Sequence, residues 1–155
     1  MATAREIQDQ IASGIGHCKK GRWEEGLAEL APLTQQENLP VDLPGTFYSY
    51  LGYAIAKVQG RRREGLALCQ HGVKLEFYRG ENYINLAGVH LLVGNRAGAV
   101  KAIFDGLQHD RRNRELQRMA RKMGIRRRPI IPFLDRAHPI NVWLGKVRHR
   151  LLGGI

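Results

Sequence analysis

Apolar residues return along the first twenty positions at the spacing of a single helix face. Ile7, Ile11, Ile15 and Cys18 stand four, four and three residues apart, which predicts a helix over residues 4–20. Gly21 closes it, and Trp23, Leu27, Leu30 and Leu33 predict a return helix over 23–36. Pro32 falls inside that second pattern, where it removes a backbone hydrogen bond and bends or shortens the helix. Residues 37–44, with Pro40 and Pro44, read as a loop. Two more helical pairs follow, at 45–59 with 62–77 and at 81–93 with 96–109. A single helix is predicted over 114–123, with Leu116, Met119, Ala120 and Met123 on one side, and Gly124 ends it. Pro129 and Pro132 then favour an extended strap over 125–134. Residues 139–151 give a short last helix that places Leu144, Val147 and Leu151 on one face.

The central part of this pattern is written twice. Tyr48 stands three residues before Leu51-Gly52, and Gly60, Gly65 and Cys69 follow. Tyr83 stands three before Leu86-Ala87, and Gly94, Ala99 and Ile103 follow in the same order. The turn glycines Gly60 and Gly94 are 34 residues apart, the period of a helix–turn–helix repeat. Upstream, Ser13-Gly14, Gly21, Gly26 and Leu30 give a third copy. The pattern resembles the tetratricopeptide repeat (TPR). The resemblance implies an all-α fold, a right-handed superhelical stack of three repeats at about 4–36, 45–77 and 81–109. A capping helix over 111–124 and a basic extension over 125–155, strap and short final helix, complete it. Gly26, Gly65 and Ala99 hold matching places where a small residue lets two helices cross closely. The second copy carries one extra residue, since Leu51 to Gly65 is 14 positions and Leu86 to Ala99 is 13. The closing proline of the family is replaced by Asn38, Phe77 and Arg111.

Charge divides the chain where the repeats end. Residues 1–110 hold 12 Lys/Arg against 12 Asp/Glu, whereas 111–155 hold 13 Lys/Arg against Glu115 and Asp135, so the net charge of +11 lies in the C-terminal part. Arg126, Arg127, Arg128, Lys146, Arg148 and Arg150 are the candidate contacts there for an acidic protein, nucleic acid or anionic lipid. No basic-then-apolar leader begins the chain, and two cysteines are too few for a disulfide framework, so the expected setting is the cytoplasm.

Chemistry-bearing motifs are weak. Gly16-x4-Gly21 is followed by Arg22-Trp23 instead of the Lys and Ser/Thr that a phosphate loop needs. His17-Cys18 and Cys69-x-His71 point about 100° or 200° apart on a helix, which does not grip one metal ion. No nucleophile–base or paired-carboxylate spacing stands out. The chain is read as a non-enzyme without metal, cofactor or small-molecule substrate.

The TPR resemblance implies instead a concave groove lined by the first helix of each repeat. Carried over by position, the groove takes Ile11 and Ile15 from the first copy, Tyr53 and Lys57 from the second, and Ile84 and Leu91 from the third. The carboxylate clamp of the chaperone-binding TPR proteins is absent, because Ile15 and Tyr53 hold its places. The expected function is an interaction scaffold that binds an apolar peptide or helix in this groove, with the basic tail engaging acidic surfaces. The alternatives are a nucleic-acid or anionic-membrane binder acting through the tail, and a small TPR chaperone for apolar client proteins.

Overall fold

Thr3 and Glu6 start the first helix reciprocally. The Thr3 hydroxyl accepts the Glu6 N–H, and the Glu6 carboxylate accepts the Thr3 N–H at 2.7 Å, a capping box. The computed structural model describes residues 3–36, 40–124 and 139–151. Helix α1 (Ala4–Lys19) is followed by α2 (Trp23–Leu30), which tightens into a 3-10 turn at Ala31–Gln35. Pro32 sits in that turn, so the shortening anticipated from the sequence falls there. Then come α3 (Gly45–Ala54), extended by a π-helical turn at Ile55–Gln59, α4 (Arg62–Leu75), α5 (Gly80–Leu92), α6 (Arg96–His109), α7 (Arg114–Lys122) and α8 (Pro139–Leu151). Among the described residues the regular structure is entirely helical. The strap, with Arg126, Arg127 and Arg128, lies outside the described residues, as do the side chains of Arg148 and Arg150.

Gly21, Gly60, Gly94 and Gly124 each take a left-handed backbone, at φ 81°, 69°, 72° and 65°. These turns end α1, the π turn, α5 and α7, and only glycine enters that conformation without strain. The extra residue of the second copy is absorbed by the π turn, so Gly60 and the helix beyond it keep their places.

Small residues set the crossing within each pair. A β-carbon at Gly65 would collide with the Gly52 carbonyl oxygen, and one at Gly72 with that of Gly45. One residue number rises as its partner's falls, which makes α3 and α4 antiparallel and nearly touching along their backbones. In the first pair a β-carbon at Gly26 would come within 2.8 Å of the Gly14 carbonyl oxygen, and Ala99 is fully buried in the third.

The core follows the pairing. Ile7, Leu27, Leu30, Leu33, Phe47 and Leu51 join the first pair to α3. Tyr83, Ala87, Ala99 and Ile103 form the core of the last pair, and Leu116 and Ala120 of α7 close it from the far side. A buried polar knot ties the second pair to α5. Asn82 donates to the carbonyls of Gly72 (3.1 Å) and Glu76 (3.0 Å) at the end of α4. Its own side-chain oxygen accepts from the Ser49 hydroxyl at 2.8 Å, and Asn85 donates to the same hydroxyl at 3.2 Å. Each of these carbonyls also accepts a backbone N–H, from Glu76 and Arg79 in turn (both 3.1 Å), so Asn82 adds a second donor that fastens α5 to the end of α4. In α8, Leu144 and Val147 are half-buried, while Trp143 and Lys146 are exposed.

Candidate partner-binding face

The first helices of the three pairs share one face, and side chains cross it. Lys19 at the end of α1 reaches Glu81 at the start of α5, with Nζ 2.7 Å from Oε1, although α3 lies between these helices in the stack. Such a bridge is open only to the side on which the outer pairs lean together, which makes this the concave side. Tyr50 of α3 lies beneath the bridge. Lys19 Nζ is 5.8 Å from its ring centroid, and the Glu81 carboxylate acts on its hydroxyl. Burial first, and then the Glu81 charge, push the Tyr50 phenol well above its ordinary pKa, so it stays a neutral donor.

An aromatic floor continues from there. Trp23 stacks on Tyr50 with centroids 6.5 Å apart, and Tyr53 meets Trp23 edge-on at 4.7 Å. Tyr53 also reaches α5, because position 88 is glycine; a β-carbon there would lie 2.8 Å from the Tyr53 ring. Lys57 stands over this floor, its Nζ 5.2 Å from the Trp23 centroid and 5.7 Å from that of Tyr53. Along the same face of α5, Ile84 is half-buried and Leu91 leaves 45% of its surface exposed.

The anticipated groove residues are therefore distributed unevenly. Tyr53, Lys57, Ile84 and Leu91 lie along α3 and α5 on this side, and Ile15 is half-buried against the first core cluster. Ile11 retains only 7% of its surface and belongs to that core with Ile7 and Leu30. It stands four residues after Ile7, so both side chains fall on the face that α1 turns to its neighbours. Sequence reasoning passed over Trp23 and Tyr50 as site residues. Trp23 carried the apolar pattern of a return helix, and Tyr50 held no marked place in the repeat motif.

Other chemistry is sparse. Both cysteines are buried and unlinked, and Cys69 donates to the Ser49 carbonyl at 3.3 Å. His17 pairs with Glu25 at 2.6 Å and faces Glu29 at 3.4 Å. Among the described residues, no three His, Cys, Asp or Glu side chains gather in a metal-holding group. Nor is any described helix long and apolar enough to cross a membrane.

Comparison with solved structures places this arrangement among helical-repeat proteins. PcrH in complex with the chaperone binding region of PopB superposes with a TM-score of 0.58 at 15% identity, covering 79% of this chain and 95% of that one. The fold is TPR-like. SycD, the type III secretion translocator chaperone of Yersinia enterocolitica, matches with a TM-score of 0.57 at 13% identity, over 80% of this chain and 82% of its own. A type III secretion complex from Aeromonas hydrophila matches over 96% of this chain and 86% of that one, with a TM-score of 0.57 and 15% identity. No protein-family model matches the chain, and no curated protein is significantly similar to it in sequence.

Proposed function

We propose that the chain is a small chaperone-like binding protein with three TPR repeats, whose concave face holds an apolar segment of another protein. The observation that carries this is the half-buried aromatic floor of Trp23 and Tyr53, backed from the core by buried Tyr50 and continued along α5 by Gly88 and exposed Leu91. Rigid aromatic surface of this kind recognises apolar side chains with little loss of conformational freedom. Lys57 adds a polar point that orients the bound segment. The likeness to PcrH, crystallised with a chaperone binding region of PopB, and to the translocator chaperone SycD favours a client-holding role over catalysis. The cations of 111–155 supply a separate contact for acidic partner surface.

Peptide selection from a displayed random library tests this. Selected peptides should be rich in apolar residues, and Tyr53→Ala with Leu91→Ala should abolish their capture while helicity by circular dichroism is kept. Peptides that are predominantly charged, or that bind the double variant undiminished, overturn the reading.

A further inference from the structure

A second surface lies at the corner where α4, α5, α6 and α7 meet end to end. The four-residue link between α4 and α5, Glu76 to Arg79, carries Phe77 and Tyr78 with 54% and 57% of their surface exposed, next to Leu75 at 48%. The link between α6 and α7 lies beside it. A β-carbon at Gly80 would come within 2.6 Å of both Asp110 Oδ2 and Asn113 Nδ2, and the His109 ring packs on Phe77 at 5.3 Å. Lys74, Arg79, Arg111 and Arg112 are all exposed around this apolar tip.

The acids of the corner face inward. Glu76 accepts the Thr46 N–H at 2.8 Å and is 3.7 Å from Arg79, and Asp110 accepts from the Asn113 amide at 3.0 Å. Thus the cations outnumber the acids, and both carboxylates are engaged by internal donors. Phe77 meets Tyr78 and His109 edge-to-face, so the rings brace one another in an exposed aromatic tip. An exposed aromatic tip among exposed cations fits a soft, negatively charged surface. Rings enter the interfacial layer while Lys and Arg meet the headgroup phosphates. Extended nucleic acid would need free ring faces on which bases could stack.

We infer that the Leu75–Phe77–Tyr78 corner, with Lys74, Arg79, Arg111 and Arg112, is a docking site for an anionic lipid bilayer, distinct from the concave face. The full chain is tested by co-sedimentation with vesicles of phosphatidylcholine and phosphatidylserine, three to one, across a salt series. Pure phosphatidylcholine vesicles and single-stranded RNA serve as the other arms. Phe77→Ser with Tyr78→Ser should weaken vesicle binding about tenfold or more, the loss expected for withdrawing two aromatic side chains from an apolar layer. Arg111→Gln with Arg112→Gln should weaken it severalfold and flatten the salt dependence.

Position-specific labelling gives a second readout that does not depend on overall affinity. Cys18 and Cys69 are buried, so an environment-sensitive thiol dye reports from an introduced Tyr78→Cys. Its emission should shift to the blue with anionic vesicles and stay fixed with neutral ones, whereas a dye on Gln70→Cys, exposed on α4, should not shift. Any of three results overturns the inference: no binding to anionic vesicles at low salt; binding that survives Phe77→Ser with Tyr78→Ser and is lost only when Arg126, Arg127 and Arg128 become Ser; or RNA binding, in place of vesicle binding, that the aromatic variant removes.

Discussion

Lys19 and Glu81 stand 62 residues apart in sequence and 2.7 Å apart in space, joined over Tyr50 across the concave face. Their side chains remain 48% and 35% exposed, so the pair stabilises the fold by less than about 1 kcal/mol. Its effect falls on binding, because a segment lying along the floor competes with the bridge. Glu81→Gln should leave the melting temperature nearly unchanged and raise peptide capture. In the wild type, added salt should also raise capture of an uncharged apolar peptide by weakening the bridge, an effect the variant should lack. Peptide titrations at low and high salt on both proteins check this.

Two glycines within helices predict opposite outcomes for the same substitution. Gly65→Ala drives a methyl group against the Gly52 carbonyl and the Ala56 side chain, and should cost about 1–3 kcal/mol despite the better helix propensity of alanine. Gly16 in α1 has open space around its β position, so Gly16→Ala should stabilise by about 0.5–1 kcal/mol. Ala99→Leu, at the matching place in the third pair, should destabilise as Gly65→Ala does. Urea unfolding of the three variants gives the signs directly.

Removing Asn82 leaves the carbonyls of Gly72 and Glu76 without the donor they share. Each carbonyl keeps a backbone N–H donor, so Asn82→Ala should cost about 0.5–1.5 kcal/mol per hydrogen bond lost. The loss should also loosen the second pair from α5, so amide exchange near the end of α4 should quicken more than exchange in α1. Uniform acceleration along the chain would point to global destabilisation alone.

Alkaline pH should act through Cys18. Burial, assisted by the Glu29 charge, pushes this thiol from an ordinary value near 9 to about 11. Below the ordinary value the thiol is neutral in both folded and unfolded chains, and its contribution is fully present. Between about 9 and about 11 the unfolded chain ionises while the folded one does not, so stability falls as pH rises. Thermal melts over this window should show a steeper decline for the wild type than for Cys18→Ala. Parallel slopes would remove Cys18 from the alkaline response.

The sequence carried the repeat geometry in its small residues. Gly21, Gly60 and Gly94 marked the turns, Gly26, Gly65 and Ala99 marked the crossings, and Pro32 marked the point where α2 tightens. These are local demands of backbone and packing, so they leave a local trace. The concave face was legible only in part, since its defining contacts join distant segments. No periodicity pairs Lys19 with Glu81 or seats Tyr53 against Gly88, and Asn82 reads as a surface residue until Ser49 and the end of α4 are brought to it. Ile11 went to the core because the face shared with Ile7 turns toward neighbouring helices, which the repeat alignment alone did not fix.

The π-helical turn at Ile55–Gln59 bears on how such a chain can change over generations. One residue inserted into an α-helix rotates everything beyond it by about 100° and would ordinarily be discarded. Here the widened turn takes up that rotation, while Gly65 still meets Gly52 and Lys57 still overlies Trp23. Length variation among descendants of a common ancestor is therefore permitted inside a helix as well as in the linkers. Gaps that open near position 56 in alignments of its kin should mark gain or loss of this turn, with the flanking glycines inherited on either side.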